Sequence, residues 1–227
     1  MFNAILFDLD NTLIDFMSMK RASCDAAINA VIANGVEIDK EKARKILFSL
    51  YDEYGWEYNL VFQRFLERVE KKIDYKTLAA AIIAYRRAQT SFMEPYPKVI
   101  PTLLELKKKG IKLAIVTDAP QLKAWMRLTE LKLQDFFDVV VAFGEVEETK
   151  PSKLPFLRAL ELLNEKPENV LMVGDMPHKD IDGAKAVGIK TCFAKYGCTI
   201  RPLPKTEADY EIESIEDILK VIQNKTT

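Results

Sequence analysis

The sequence predicts an α/β protein with a doubly wound parallel sheet and an α-helical domain inserted after the first strand. Short apolar runs recur along the chain and alternate with segments of helical periodicity, which is typical of a Rossmann-like sheet with helices on both faces. Between residues 16 and 92, by contrast, no strand-like run occurs. Apolar residues there recur at three- and four-residue spacing, which indicates a bundle of helices.

Five segments are predicted to be strands buried on both faces, because each is short, apolar and rich in β-branched or aromatic residues. They are Asn3–Phe7, Ile111–Asp118, Phe137–Phe143, Asn169–Asp175 and Ile189–Ala194. The helices predicted around them are Val99–Lys109, Leu122–Leu131, Lys153–Leu163 and Ile181–Val187. Gly110 and Gly188 directly follow two of these helices, at the position where glycine commonly ends a helix.

The insert is predicted to contain four helices, and its aromatic residues are expected mainly to pack in its core. The helices are Met19–Ala33, Lys40–Tyr51, Tyr58–Val69 and Tyr75–Phe92. Three prolines between residues 95 and 101 mark the return to the sheet, since proline disfavours helix in the residue before it. We therefore predict a core domain of residues 1–15 and 93–227 and a helical cap domain of residues 16–92.

Composition excludes several classes of protein. The chain has 227 residues, with 33 Lys and Arg against 34 Asp and Glu, so a general basic field for nucleic acid is excluded. Acidic residues near the N-terminus argue against a signal peptide, and no apolar stretch approaches the roughly 18 residues that span a bilayer. Cys24, Cys192 and Cys198 lack metal-site or disulfide spacing and are predicted to be buried thiols. We expect a cytoplasmic protein without nucleic-acid or membrane partners.

Polar residues collect at the carboxyl ends of the predicted strands, where open parallel sheets bind ligands. They are Asp8, Asp10, Thr12, Thr117, Asp118, Lys150, Asp175 and Asp180. Carboxylates crowded together need a compensating cation, and Mg²⁺ prefers oxygen ligands and often binds between carboxylates and a substrate phosphate. Because the lysine and threonines can bind an anion, the set predicts phosphoryl transfer to or from a small phosphate ester.

Four motifs resemble, in order, those of the haloacid dehalogenase superfamily. They are DLDNTL from Asp8, IVTDA from Ile115, ETKPSKLPF around Lys150 and VGDMPHKDIDGAKAVGI from Val173, and the resemblance covers essentially the whole chain. It implies a phosphatase-type hydrolase in which Asp8 is the nucleophile that forms an aspartyl-phosphate. It also implies that Asp10 is the general acid and base.

The same resemblance implies roles for the remaining residues. Thr117 and Lys150 are expected at the substrate phosphate, with Lys150 also neutralising the nucleophile. From its place at the strand end, Asp118 is expected at the substrate too, although it could instead be a solvated turn acid beside the phosphate site. Mg²⁺ is expected on the Asp8 and Asp175 carboxylates and the main-chain carbonyl of Asp10, with Asp180 orienting the lysine or a metal-bound water. By resemblance, the helical insert is a mobile cap that closes over the site and selects the leaving group.

Simpler roles stay open for several of these residues. Asp180 could cap the helix that begins near Ile181, and Asp10 could cap a turn. Lys153 competes with Lys150 for the role of the catalytic lysine, and Lys150 is favoured because it precedes Pro151, as in the family pattern. Thr12 either holds its loop together or contacts the ligand.

Two further positions depart from the family pattern. Asn11 stands where many members have glycine, and it is expected to accept an unusual backbone angle. His178 lies within the last motif and is expected to be an exposed loop residue.

Three other functions compete with a phosphatase. A 2-haloacid dehalogenase of the same superfamily would need no acid at the second motif position, so Asp10 argues against it. A phospho-accepting switch without turnover would be a single compact domain without the helical insert. A non-catalytic scaffold would tolerate loss of Asp8. Nucleotide-binding motifs of the forms G-x-x-x-x-G-K-[ST] and G-x-G-x-x-G are absent, and the substrate is not determined by the sequence.

Overall fold

The structure is a computed structural model that describes residues 2–223. It contains two compact units. One is the insert, Phe16–Met93, and the other consists of the described residues up to Asp15 and from Glu94 onward. The assignment of these units as core and cap domains stays a prediction.

The second of these units contains a six-stranded parallel sheet, which confirms the predicted doubly wound α/β fold. Its strands are β1 Ala4–Phe7, β2 Lys112–Pro120, β3 Val139–Phe143, β4 Val170–Gly174, β5 Lys190–Ala194 and β6 Tyr210–Ile212. Their order is β3-β2-β1-β4-β5-β6. Strand β6 was not predicted, because its three residues are too few to produce a recognisable pattern. Every residue of β1 and β4 is buried, as expected for central strands of a parallel sheet.

The insert forms four helices, α1 Phe16–Ala33, α2 Lys40–Tyr54, α3 Val61–Glu70 and α4 Tyr75–Phe92. Asp39 and Asp74 cap α2 and α4 by accepting hydrogen bonds from main-chain N–H groups. The helices share a core that includes Leu47 and Phe65. Lys20 is a buried charged residue of this unit, whose Nζ donates to the Trp56 carbonyl at 3.0 Å and lies 3.9 Å from the Tyr51 ring centroid.

The expectation that the aromatic residues of the insert mainly pack in its core is confirmed. Tyr51, Phe62 and Phe65 are buried, and the Tyr51 ring stacks on Trp56 with 5.6 Å between centroids. The exposed exceptions include Tyr54, Tyr75 and Phe92, and the Tyr54 ring stacks on Tyr58.

The remaining helices lie in the unit that contains the sheet. They are α5 Val99–Lys108, α6 Gln121–Glu130, α7 Lys153–Leu163, α8 Asp182–Lys185 and α9 Ile218–Gln223. Gly110 and Gly188 adopt φ of 74° and 85°, which confirms their predicted role after α5 and α8. The helix predicted for Ile181–Val187 is wrong in extent, because a π-helical turn, Pro177–Ile181, precedes a helix of only four residues.

No helix in residues 2–223 is long and apolar enough to cross a membrane. The three cysteines are buried and form no disulfide, as predicted. Burial raises the pKa of both Cys24 and Cys192 to about 12, which keeps these thiols protonated at neutral pH.

Candidate active site

The candidate site lies where the sheet changes its direction of winding. The chain runs from β1 outward to β2 and β3 on one side, and from β4 to β5 and β6 on the other, so β1 and β4 are neighbours at the switch point. Ligands bind beside the carboxyl ends of strands at such a point. Asp8 follows β1 and Asp175 follows β4, and the Asp8 N–H donates to the Val173 carbonyl at 2.9 Å.

The loop after β1 is held by close main-chain packing. Asn11 has φ of 60°, which confirms that it adopts the left-handed conformation expected of it. Gly197 packs against this residue so closely that a Cβ at position 197 would lie 1.6 Å from the Asn11 carbonyl oxygen. The Thr12 hydroxyl donates to Asp175 Oδ1 at 3.2 Å, and Tyr196 donates to the Thr12 carbonyl at 2.7 Å. Thr12 therefore holds the loop and orients Asp175.

Lys150 connects two carboxylates from different parts of the chain. Its Nζ donates to Asp8 Oδ1 at 2.5 Å and to Asp180 Oδ1 at 2.7 Å, and all three residues are buried. The competing residue Lys153 is exposed at the start of α7. Of the two lysines that the sequence offered, the structure brings Lys150 to Asp8.

Asp180 is held on both oxygens, because Oδ1 accepts from Lys150 and Oδ2 accepts from the Met176 N–H at 2.9 Å. The helix-cap alternative for this residue is wrong, since α8 begins after Ile181 and receives no side-chain cap. Gly174 makes room for the carboxylate, because a Cβ at that position would lie 2.2 Å from Asp180 Oδ2.

A break in the sheet places Thr117 and Asp118. Pairing between β2 and β3 shifts register between Val116 and Pro120, and irregularities of this kind redirect side chains near active sites. The Thr117 hydroxyl is buried and accepts from the Ala119 N–H at 3.2 Å, so its proton can still be donated to an anion.

Asp118 is engaged with protein groups on both oxygens, although the sequence had suggested that it binds substrate. Its Oδ1 accepts from the Lys150 N–H at 2.9 Å, and its Oδ2 accepts from Lys179 Nζ at 2.7 Å. The contacts of this carboxylate thus hold the loop that carries Lys150. Lys179 was not identified from the sequence, where it reads as an ordinary surface lysine.

Asp10 forms an ion pair that the sequence analysis missed. Arg127 Nη1 donates to Asp10 Oδ2 at 2.6 Å, and the Arg127 side chain is only 5% exposed. The available signal was the position of Arg127 on α6, since the spacing from Ala124 and Leu128 puts it on the buried face. His178 is exposed, as expected, and lies 3.6 Å from Asp182, but it belongs to the π-helical turn Pro177–Ile181 rather than to a loop.

Three carboxylates form a compact acidic cluster. Single oxygens of Asp8, Asp175 and Asp180 lie within 4.8 Å of one another, and all three residues are buried. Burial, together with repulsion by Asp180 that Lys150 only partly offsets, raises the pKa of Asp8 to about 7. Burial and repulsion by Asp8 and Asp180 raise the pKa of Asp175 to about 9.

This cluster fits a hard divalent cation. Lys150 contributes one positive charge against three carboxylates. Burial lowers the pKa of Lys150, but attraction by Asp180 and Asp8 outweighs burial and raises that pKa, so the ammonium stays charged. A magnesium ion would supply the missing charge through oxygen ligands. Because both Asp180 oxygens accept hydrogen bonds from Lys150 and Met176, Asp8 and Asp175 are the better placed ligands.

Stability is expected to decrease as pH rises, and Mg²⁺ is expected to offset that decrease. In the folded protein the pKa values of Asp8 and Asp175 lie above the ordinary 3.8, so the folded protein binds these two protons more tightly than the unfolded chain does. Their contribution to stability is therefore present below that value and is lost as pH rises through about 7 and about 9. Without metal, these two groups lower the thermal unfolding midpoint between about pH 5 and about pH 8. Added Mg²⁺ should raise the midpoint more at the higher pH.

Thermal unfolding followed in EDTA and in Mg²⁺ at both pH values tests this expectation. Asp175→Asn is the control, since removing a ligand carboxylate should abolish most of the Mg²⁺ effect. An equal Mg²⁺ increment at the two pH values would contradict the assignment of these carboxylates to the cation.

Comparison with known proteins identifies the family. The family model described as haloacid dehalogenase-like hydrolase matches residues 2–188. A protein of Pyrococcus furiosus named glyceraldehyde 3-phosphate phosphatase is 35% identical over 97% of this chain and 93% of its own length. Pyrophosphatase PpaX of Bacillus cereus is 33% identical over 98% and 97% of the two chains.

A solved structure agrees with these sequence relatives. A haloacid dehalogenase (HAD) phosphatase from Thermococcus onnurineus superposes with a TM-score of 0.71 and 27% identity, covering 97% of each chain. The resemblance found in the motifs is confirmed, and so is the expectation of a phosphoric monoester hydrolase. The chain belongs to the haloacid dehalogenase-like hydrolases, and within them to the phosphatases.

Proposed function

We propose that this phosphatase hydrolyses a small phosphorylated metabolite, with Mg²⁺ bound, through an aspartyl-phosphate on Asp8. The observation that carries the proposal is the environment of Asp8. Its buried carboxylate lies 2.5 Å from the Lys150 ammonium and within the cluster that also contains Asp175 and Asp180. A carboxylate beside a fixed cation and a metal-binding cluster is suited to attack phosphorus.

The reaction proceeds in two steps, and Asp10 transfers one proton in each. In the first, an Asp8 oxygen bonds to phosphorus, the bond from phosphorus to the ester oxygen breaks, and Asp10 gives its proton to the departing alkoxide. In the second, water attacks phosphorus, Asp10 takes the proton, and the bond between Asp8 and phosphorus breaks to release phosphate. Asp10 therefore ends the cycle protonated, as it began.

The neighbouring residues would stabilise charge during both steps. Lys150 neutralises Asp8 and the transferring group, and Asp180 fixes Lys150 at 2.7 Å. The Thr117 hydroxyl and nearby N–H groups bind phosphate oxygens. Asp118 acts through the loop that carries Lys150, because its carboxylate accepts a hydrogen bond from the main-chain N–H of Lys150 at 2.9 Å.

Asp8, Asp175 and the main-chain carbonyl of Asp10 would hold Mg²⁺. When bound, the ion would offset the charge of the carboxylates and of the phosphate oxygens. The buried, unbridged cysteines support our proposal of a cytoplasmic enzyme, since disulfides are rare in that reducing compartment.

We propose a triose phosphate as the substrate class to test first. The reason is that a relative at 35% identity, covering 97% of this chain, is named for glyceraldehyde 3-phosphate. Pyrophosphate is the second candidate, because the Bacillus cereus relative is named for it.

The experiment measures phosphate release from glyceraldehyde 3-phosphate, pyrophosphate and p-nitrophenyl phosphate, each with Mg²⁺ or with EDTA. We expect release in Mg²⁺, little in EDTA, and the highest kcat/KM with the triose phosphate. Chloride release from 2-chloropropionate in EDTA, without phosphate release from any ester, would favour the dehalogenase alternative. Stable phosphorylation without turnover would favour the switch.

A further inference from the structure

Helix α6 exposes large apolar side chains while it buries an arginine beside Ala124 and Leu128. Its large apolar residues Leu122, Trp125 and Met126 are 73%, 40% and 61% exposed, whereas Arg127 is 4% exposed. Arginine is almost never fully buried unless it is paired, and exposing large apolar residues forgoes the free energy of burying them. An arginine on the inner face of such a helix therefore calls for a role other than general packing.

The partner of this arginine lies far away in the sequence. Arg127 Nη1 donates to Asp10 Oδ2 at 2.6 Å, across a sequence separation of 117 residues. Asp10 keeps 23% of its side chain exposed, so the pair joins a buried arginine to a partly exposed aspartate. An ion pair with one buried partner contributes little net stability compared with an apolar residue of similar volume, but it constrains the geometry of both groups.

We infer that Arg127 is a positioning residue, which holds the Asp10 carboxylate in place for proton transfer at the leaving oxygen. The inference rests on the proposed function, in which Asp10 is the acid and base. An ion pair narrows the range of rotamers that a partly exposed aspartate can adopt, and proton transfer requires a donor within hydrogen-bonding distance of the leaving oxygen. Arg127 donates to Asp10 Oδ2, and we expect its effect on the reaction to pass through that carboxylate.

Leaving groups of different basicity separate this role from a merely structural one. An alkoxide leaves only when it is protonated, whereas p-nitrophenolate leaves readily without a proton. Because kcat/KM covers only the steps up to release of the alcohol, it does not report the later hydrolysis of the phosphoenzyme. Loss of Asp10 positioning should therefore lower kcat/KM for an alkyl phosphate and largely spare p-nitrophenyl phosphate.

The experiment compares wild type with Arg127→Met on glycerol 3-phosphate and on p-nitrophenyl phosphate, in Mg²⁺. We expect kcat/KM to fall about 10- to 100-fold for the alkyl ester and less than about 3-fold for the aryl ester. In an Asp10→Ala background, Arg127→Met should change kcat/KM for the alkyl ester by less than about 2-fold. Arg158→Met is the matched control, since Arg158 pairs with Glu145 and Glu161 on the surface, and it should leave both values unchanged.

Arg127→Lys keeps the inference testable if Arg127→Met does not fold at the assay temperature. A lysine preserves the charge without the planar guanidinium. Arg127→Lys should therefore lower kcat/KM for the alkyl ester more than for the aryl ester, and by a smaller factor than Arg127→Met does. The inference would be overturned by equal losses of kcat/KM on both esters or by an unchanged kcat/KM for the alkyl ester. It would also be overturned if Arg127→Met caused the same loss in the Asp10→Ala background. If Asp10→Ala itself affects both esters equally, the proposed acid role of Asp10 fails, and the inference falls with it.

Discussion

In the Asp8→Asn variant, phosphate release from every ester is expected to fall by at least about a thousandfold. The amide has nearly the shape of the carboxylate but lacks the anionic oxygen that would bond to phosphorus. Lys150 keeps its second partner, because its Nζ also donates to Asp180 at 2.7 Å. The loss of rate should therefore reflect missing chemistry rather than a collapsed site.

Stability separates these two explanations. Asp8 repels Asp175 and Asp180 within the buried cluster, so its neutral replacement should leave the thermal midpoint in EDTA equal to or above that of wild type. Asp182→Asn is the matched control, because Asp182 lies in the last motif with 64% of its side chain exposed, and its activity should be unchanged.

Direct detection of the intermediate completes this test. Wild type quenched in acid during turnover should yield a phosphorylated peptide that contains Asp8, detected by mass spectrometry. Asp8→Asn should yield none. A variant that retains a tenth or more of the wild-type rate would exclude Asp8 as the nucleophile and would favour a scaffold role for the cluster.

Replacing Lys150 with methionine is expected to cost both stability and activity. Removing one partner of a buried ion pair leaves an uncompensated charge, which destabilises proteins by about 3–5 kcal/mol. Here two carboxylates, those of Asp8 and Asp180, lose the same ammonium. Activity should fall at least about a hundredfold, since a fixed cation at the transferring group is lost.

Lys153→Met is the matched control, because that lysine is exposed three residues further along the chain. Its stability should stay within about 0.5 kcal/mol of wild type in urea unfolding, with unchanged activity. Adding Asp180→Asn to Lys150→Met removes one of the uncompensated charges, so part of the stability should return while activity does not. Stability unaffected by Lys150→Met would contradict the view that this ammonium is the main counter-charge of the cluster.

Local sequence patterns were enough to predict the sheet and the site residues that follow its strands. The runs that became β1 and β4 are wholly apolar, because central parallel strands are buried on both faces, and their polar ends therefore stand out. Asp8 and Asp175 could be placed together on this basis alone. The prediction failed for β6 and for the turn before α8, where short length and side-chain bonds to Asp180 outweigh local propensity.

The pairings within the site could not be predicted, because each joins residues that are distant in the sequence. Lys150 was chosen over Lys153 from motif position, but only the fold shows its ammonium between two carboxylates. Asp118 was expected at the substrate, yet its oxygens accept bonds from Lys150 and Lys179. Nothing local to an arginine on a surface helix indicates which carboxylate it will contact.

The sequence by itself determined the fold class, the helical insert and the set of polar residues at the strand ends, since all three are recorded in periodicity and ordered motifs. Only the tertiary structure decided how that set is connected: Thr12 to Asp175, Asp118 to the Lys150 loop, and Arg127 to Asp10. The physical reason is that periodicity reports which side of a helix or strand is buried. A hydrogen bond depends instead on the distance between two atoms, which is set by how several helices and strands pack together.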